Sequence, residues 1–192
     1  NLLEFYIATS RDGDSWDLGW VYAGKTMIPR GGDGAWDKDM IIPASTVITH
    51  EDKHWLYYDG YNERHGVFRR ADEKARGGIG LATLRLDGFV GLEAKGQAGT
   101  ITTRPFKLGG NRLQVNVKGQ EFAVEVLDAE GEPLPGFSVS EAGRHRSVDQ
   151  LRLEPTWRGR SKFSSLKGQI VRFRFHLENA VIYSFQVLPS SD

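Results

Sequence analysis

The chain has 192 residues, with 25 Lys+Arg against 25 Asp+Glu and no cysteine. A core of that size needs no covalent staple, the balanced charge gives no global field toward nucleic acid or an anionic membrane, and thiol catalysis, thiolate metal sites and disulfides are excluded. No apolar run approaches the roughly 20 residues that cross a bilayer, and Asn1-Leu2-Leu3-Glu4-Phe5-Tyr6 has neither a basic n-region nor an initiator Met, so a soluble piece cut from a longer protein is expected.

No 3.6-residue apolar stripe is sustained, and short alternating runs are punctuated by turn residues, which predicts an all-β protein. In chain order the first strands fall at Glu4–Ser10, Gly19–Thr26, Ile41–Thr49, Lys53–Gly60 and Ile79–Leu86. They are separated by Arg11-Asp12-Gly13-Asp14, Arg30-Gly31-Gly32-Asp33-Gly34, Glu51-Asp52 and Asp87-Gly88. The small, polar run Leu92–Gly99 reads as a junction between a first unit, residues 1–95, and a second, residues 96–192. Trp16, Trp20, Trp36 and Trp55 precede it and only Trp157 follows. Beyond it, strands are expected at Thr100–Pro105, Arg112–Val117, Phe122–Leu127, Leu151–Pro155, Ile170–Leu177 and Ile182–Leu188, with a hairpin turn at Asp128–Gly131 and a helical turn at Ser161–Leu166. The alternation of Val171, Phe173, Phe175 and Leu177 against Arg172, Arg174 and His176 assigns one face to a core and one to solvent.

Ile7-Ala8-Thr9-Ser10-Arg11-Asp12-Gly13 recurs as Leu81-Ala82-Thr83-Leu84-Arg85-Leu86-Asp87-Gly88 with one extra residue, a strand-plus-turn unit of the kind propeller blades repeat. Taken in order, this unit with Asp14-Ser15-Trp16, Gly34-Ala35-Trp36-Asp37, Ile42-Pro43-Ala44-Ser45, His54-Trp55-Leu56-Tyr57-Tyr58-Asp59-Gly60 and Ile79-Gly80-Leu81-Ala82-Thr83 resembles the late blades of five-bladed β-propeller glycoside hydrolases, families 32, 43, 68 and 130. Thr100–Phe106 through Tyr183–Val187, with the loop Trp157–Gly168, resembles the β-sandwich appended to many of them. The resemblance implies partial propeller strands, the last blade and part of the one before it, followed by or merged with an antiparallel β-sandwich. A whole propeller needs five blades, roughly 250–300 residues, so most of such a catalytic domain would be missing and no family carboxylate carries over. It further implies a carbohydrate-binding or structural accessory fragment of a glycoside hydrolase, secreted or periplasmic. The alternative is an active glycosidase on a plant or microbial polysaccharide.

Sugar recognition joins aromatic faces to carboxylates and Arg that fix hydroxyls. Trp36, Asp37 and Asp39 supply that mixture, and Arg64 and His65 join them from the charge-dense run Glu63–Arg76; otherwise Trp36 packs between blades, Asp37 closes a glycine loop, and the charged run is a solvated loop. A glycosidase pair of carboxylates, roughly 5–9.5 Å apart, has candidates in Asp12, Asp14, Asp17, Asp33, Asp37, Asp39, Asp59 and Glu63, almost all in Gly-rich turns. No cofactor is expected. Calcium is the one ion left open, at Asp12-Gly13-Asp14-Ser15-Trp16-Asp17, against the simpler reading of an Asp-turn with Trp16 folded over it. His50, His54, His65, His145 and His176 lack zinc-site spacing, and Gly77-Gly78-Ile79-Gly80 precedes a strand rather than a helix, which sets aside phosphate binding. An acidic sugar on the second unit requires Arg144-His145-Arg146 and the Arg172/Arg174/His176 face to lie together. The expected partner is carbohydrate, with no nucleic acid and no membrane, and exposed strand edges in residues 4–90 invite self-association.

Overall fold

The computed structural model describes residues 1–66 and 76–189. The fold is all-β with antiparallel sheets, as the alternation predicts, and among the described residues no helix is long and apolar enough to cross a membrane. The chain divides into two compact units, Asn1–Arg85 and Leu86–Asp192.

In the first unit β1 (Thr9–Ser10) and β2 (Trp16–Asp17) form a short hairpin, followed by one helical turn, α1 (Gly19–Tyr22). A four-stranded sheet then builds on β5 (Lys53–Tyr61). The strands β3 (Met40–Pro43) and β4 (Ile48–His50) share one edge of β5, and β6 (Gly77–Arg85) covers the other from end to end. Three expectations change here. Glu4–Ser10 is a strand only at its end, with Leu3 and Phe5 bridging singly to Met40 and Ile28. Gly19–Thr26, extended by its aromatic and β-branched content, instead starts as a helical turn because the Asp17 carboxylate accepts the Gly19 N–H at 2.8 Å and turns the chain. Ile41–Thr49 is two strands, interrupted just after Pro43, which has no N–H to give the ladder. The core beneath is small: Ile28, Ile41 and Leu56, with Phe5, Met27, Tyr58, Ala82 and Leu84 packed against them.

The second unit is one antiparallel sheet curled on itself, ordered β10 (His145–Leu153), β9 (Arg112–Leu127), β11 (Ile170–Leu188), β7 (Leu92–Thr102), with β8 (Phe106–Lys107) on the end of β11. Leu92–Gly99, expected as a junction, makes up the first eight of the eleven residues of β7. Its small polar residues suit an edge strand that is mostly exposed on both faces. Two pairs of expected strands fuse: Arg112–Val117 with Phe122–Leu127 into β9, and Ile170–Leu177 with Ile182–Leu188 into β11. In each, the buried positions change parity, from Leu113, Val115 and Val117 to Phe122, Val124 and Val126, and from Val171, Phe173, Phe175 and Leu177 to Ala180 and Ile182. Irregular residues mark the change at one level across all four strands: Gly96 on β7, Gly119 on β9, Ser147 on β10 and Asn179 on β11, all with φ between 43° and 153°. Asn179 ties the row together, donating to Gln120 and accepting from the Gly96 N–H, each at 2.9 Å. At this level the β7–β11 register slips between Glu178 and Ala180, a bulge that bends the edge of the sheet and contributes to its curl.

That core holds Leu108, the β9 and β11 residues above, Trp157, Phe163 and Leu166. The expected helical turn is shorter, a 3-10 turn at Ser164–Leu166 that buries Leu166.

Candidate functional site

The loop Arg30–Asp39 carries Trp36, Asp37 and Asp39 and is tied down at both ends before β3. The Arg30 guanidinium donates to the Lys38 carbonyl and pairs with Glu4 at 2.9 Å. The Asp39 N–H donates to the Tyr61 carbonyl at 3.0 Å and its carbonyl accepts from Leu3 at 3.1 Å.

Trp36 lies parallel to the Tyr58 ring, centroids 5.9 Å apart and planes 13° from parallel. It can lie so close to the β5–β6 ladder because Gly60 and Gly78 pair directly beneath it. A Cβ on Gly60 would stand 2.4 Å from the indole ring and one on Gly78 3.4 Å. The same device repeats along the ladder, where Tyr58 lies opposite Gly80 and Tyr61 opposite Gly77, each ring covering the glycine across from it. Aromatic rings over bare cross-strand backbone form a firm, half-exposed platform.

Asp37 is only 9% exposed and Asp39 6%. The Tyr58 hydroxyl donates to Asp37 Oδ2 at 3.1 Å, and Gly31 closes over the other carboxylate oxygen, where a Cβ would come within 2.3 Å. Burial, and then the bond to this carboxylate, push the Tyr58 hydroxyl above the usual phenol range. Asp39 holds Lys38 Nζ at 2.6 Å and the exposed Arg64 guanidinium more loosely at 3.8 Å. The structure thus gathers Trp36 with Asp37 through Tyr58, and Asp39 with Arg64, while His65 is held by its backbone, which exchanges two hydrogen bonds with Asn1 at 2.8 and 2.9 Å. The central portion of the charged run, residues 67–75, lies outside the described residues.

Tyr58, Lys38 and the Gly60/Gly78 pair escaped the sequence reading. Tyr58 shares a β5 face with His54 and Leu56, which marks it as inward-facing, but the glycine pairing depends on a register that no local pattern records.

At the first hairpin, Asp12 Oδ1 accepts from the Ser10 hydroxyl at 3.0 Å and from the Asp14 and Ser15 N–H groups at 2.9 and 2.8 Å, while the Trp16 indole donates to the Gly13 carbonyl at 3.1 Å. This is the Asp-turn with Trp16 folded over it. Among the described residues no group of three or more His, Asp or Glu side chains could hold a metal ion. The backbone bonds from Ser15 and Asp14, with that from Ser10, hold the Asp12 carboxyl down at about 2, against an ordinary 3.8. A depressed carboxyl supports the fold fully above its unfolded pKa and loses that support as pH falls through the folded value. NMR titration should therefore give an Asp12 midpoint near 2, with the turn intact down to about pH 4 and loosening only below it.

In the second unit the two basic patches lie together in part: Arg144 comes together with His176, while Arg172 turns to the Ala129 and Thr103 carbonyls. Arg144 and His176 line one cleft of about 280 Å³ with Glu121, Thr100 and Glu178. Arg144 and Arg146 both pair with Glu121, and Arg174 and His176 meet the buried Glu125 at 3.0 and 2.9 Å. The second Glu125 oxygen accepts the Val139 N–H at 3.2 Å. Arg144, Arg146 and Arg174 each already face a carboxylate and the His176 ring meets one too, so the cleft has little unpaired positive charge for an acidic ligand. Neighbouring His145 is pushed below the ordinary imidazole range by burial alone.

Compared with known proteins, the chain matches no family model, no curated protein and no solved structure.

Proposed function

We propose that the chain is a carbohydrate-binding accessory unit of the glycoside-hydrolase type, with a sugar ring received on the platform of Trp36 and Tyr58. The observation that carries this reading is the parallel ring pair braced from beneath by Gly60 and Gly78 and from the side by Asp37. A stacked aromatic platform offers an apolar face to sugar C–H groups while adjacent polar groups fix hydroxyl direction. Within it Asp37, buried, sets the Tyr58 hydroxyl, and Arg64, exposed on Asp39, is free to swing onto a ligand oxygen. The motif resemblance to late propeller blades supports the same reading and suggests the parent enzyme class.

A glycan-array screen covering fructans, arabinans, xylans and anionic polysaccharides, run beside Trp36→Ala, tests it. The expected result is retention of a neutral glycan that weakens at least about fivefold without the indole, given ring-stacking energies of about 1–3 kcal/mol. Silence on every neutral glycan at millimolar ligand refutes the reading and leaves the first unit a structural element.

A further inference from the structure

The loop Trp157–Ser165 encloses a second cleft in the second unit, about 450 Å³, lined by Pro135, Gly136 and Phe137 on one side and by Arg158, Arg160, Lys162, Ser164 and Ser165 around the rest, with Trp157 at its floor. Its charge balance is opposite to that of the Glu121 cleft. Three cations line it and no carboxylate does. Arg158 is engaged by Glu141, whereas Arg160 and Lys162 have no ion pair among the described residues.

The floor is rigid. Trp157 is 2% exposed, its indole N–H donates to the Val124 carbonyl at 2.8 Å, and the edges of Phe137 and Phe163 pack on it with centroids 5.5 and 5.9 Å away. Trp157 and Arg160 exchange backbone hydrogen bonds at 2.7 and 2.9 Å, which closes a tight turn at Arg158 and Gly159, both at positive φ. That turn projects Arg158 and Arg160 from a fixed base. Ser164 Oγ accepts from the Asn111 amide at 3.2 Å, so its own O–H remains to donate. Uncompensated cations and hydroxyl donors around a cleft with an apolar wall suit a group that is anionic on one side and apolar on the other.

We propose that this cleft is a recognition site for an acidic polysaccharide, its sulfate or carboxylate held by Arg160, Lys162 and the Ser164 and Ser165 hydroxyls and its ring seated against Pro135 and Phe137. The site is separate from the Trp36 platform and does not depend on it.

The test is calorimetric titration of the whole chain with dextran sulfate, with polygalacturonate and with neutral dextran. Binding to one or both acidic polymers, none to neutral dextran, and at least about a tenfold weakening in Arg160→Ala/Lys162→Ala is expected. The tighter polymer identifies the anionic group. Both side chains are exposed, so the double variant should keep the wild-type unfolding temperature. Arg11→Ala/Lys25→Ala, which removes the same charge from the first unit, and Trp36→Ala should both bind the acidic polymer as wild type does. No acidic binding at millimolar sugar, equal weakening in the charge-matched control, unchanged binding in the cleft variant, or loss in Trp36→Ala would each overturn the assignment. Because neutral-glycan retention is read separately, failure here leaves the Trp36 platform standing, and its failure leaves this site standing.

Discussion

Phe173→Ala should destabilise the second unit by about 3–5 kcal/mol, the cost of emptying a fully enclosed aromatic site. Phe173 is 0% exposed on β11, and its ring meets Phe106, Phe163, Phe175 and Phe185 at centroid distances of 5.3 to 6.2 Å. Those neighbours come from β8, the loop before the 3-10 turn, and β11 itself, so no single element can move to fill the void. Against a total stability of about 5–15 kcal/mol for a domain, that loss takes a large share. At roughly 4–8 °C per kcal/mol, calorimetry should show the second unit's transition falling by more than about 10 °C. A fall under about 3 °C would mean that the sheet collapses readily around the gap and that the aromatic cluster is loosely packed.

Gly60→Ala should destabilise the first unit by about 1–3 kcal/mol, the cost of overpacking, and abolish glycan retention on the Trp36 platform. The sign is informative, because alanine ordinarily stabilises an extended position relative to glycine by roughly 0.5–1 kcal/mol. The added methyl would stand 2.4 Å from the Trp36 ring and 2.5 Å from Asp37 Cβ. Both belong to a loop held at Lys38, Asp39 and Arg30, so the indole must lift and the Asp37 bond to Tyr58 must stretch. Gly32→Ala is the control: a Cβ there meets nothing within 4 Å, and it should be neutral or slightly stabilising. A red-shifted tryptophan emission in Gly60→Ala but not in Gly32→Ala would report the displaced ring. If Gly60→Ala raises stability instead, Trp36 does not rest on that glycine.

Much of the fold is legible along the chain because its signals are local. The alternation through Val171–Leu177 marks the buried face of β11, the Asp12 and Asp128 turns stand where their side chains can accept neighbouring N–H groups, and Lys53–Gly60 is a strand nearly to the residue. Strand continuity was not legible, for a physical reason. When the buried positions shift from odd to even at Gly119 and Asn179, period-two reasoning sees one strand ending and another starting, whereas β9 and β11 stay paired across both positions, Glu178 with Glu121 and Ala180 with Gly119, through two positive-φ residues. The aromatic run Gly19–Thr26 has strand propensity, and one hydrogen bond from the Gly19 N–H to the Asp17 carboxylate outweighs it.

The candidate site divides along the same line. Residue chemistry, read with the propeller resemblance, singled out Trp36, Asp37, Asp39, Arg64 and His65 as a mixture suited to sugars, and composition alone excluded thiol and disulfide chemistry. Only the tertiary structure placed Gly60 opposite Gly78 beneath the indole, turned Asp37 inward onto Tyr58, and set carboxylates against Arg144, Arg146, Arg174 and His176 while leaving Arg160 and Lys162 without one among the described residues. Alternation, turn chemistry and charge content are properties of neighbours in sequence and can be read there. Register, burial and charge pairing join residues 20 to 50 positions apart, and they exist only once the strands have paired.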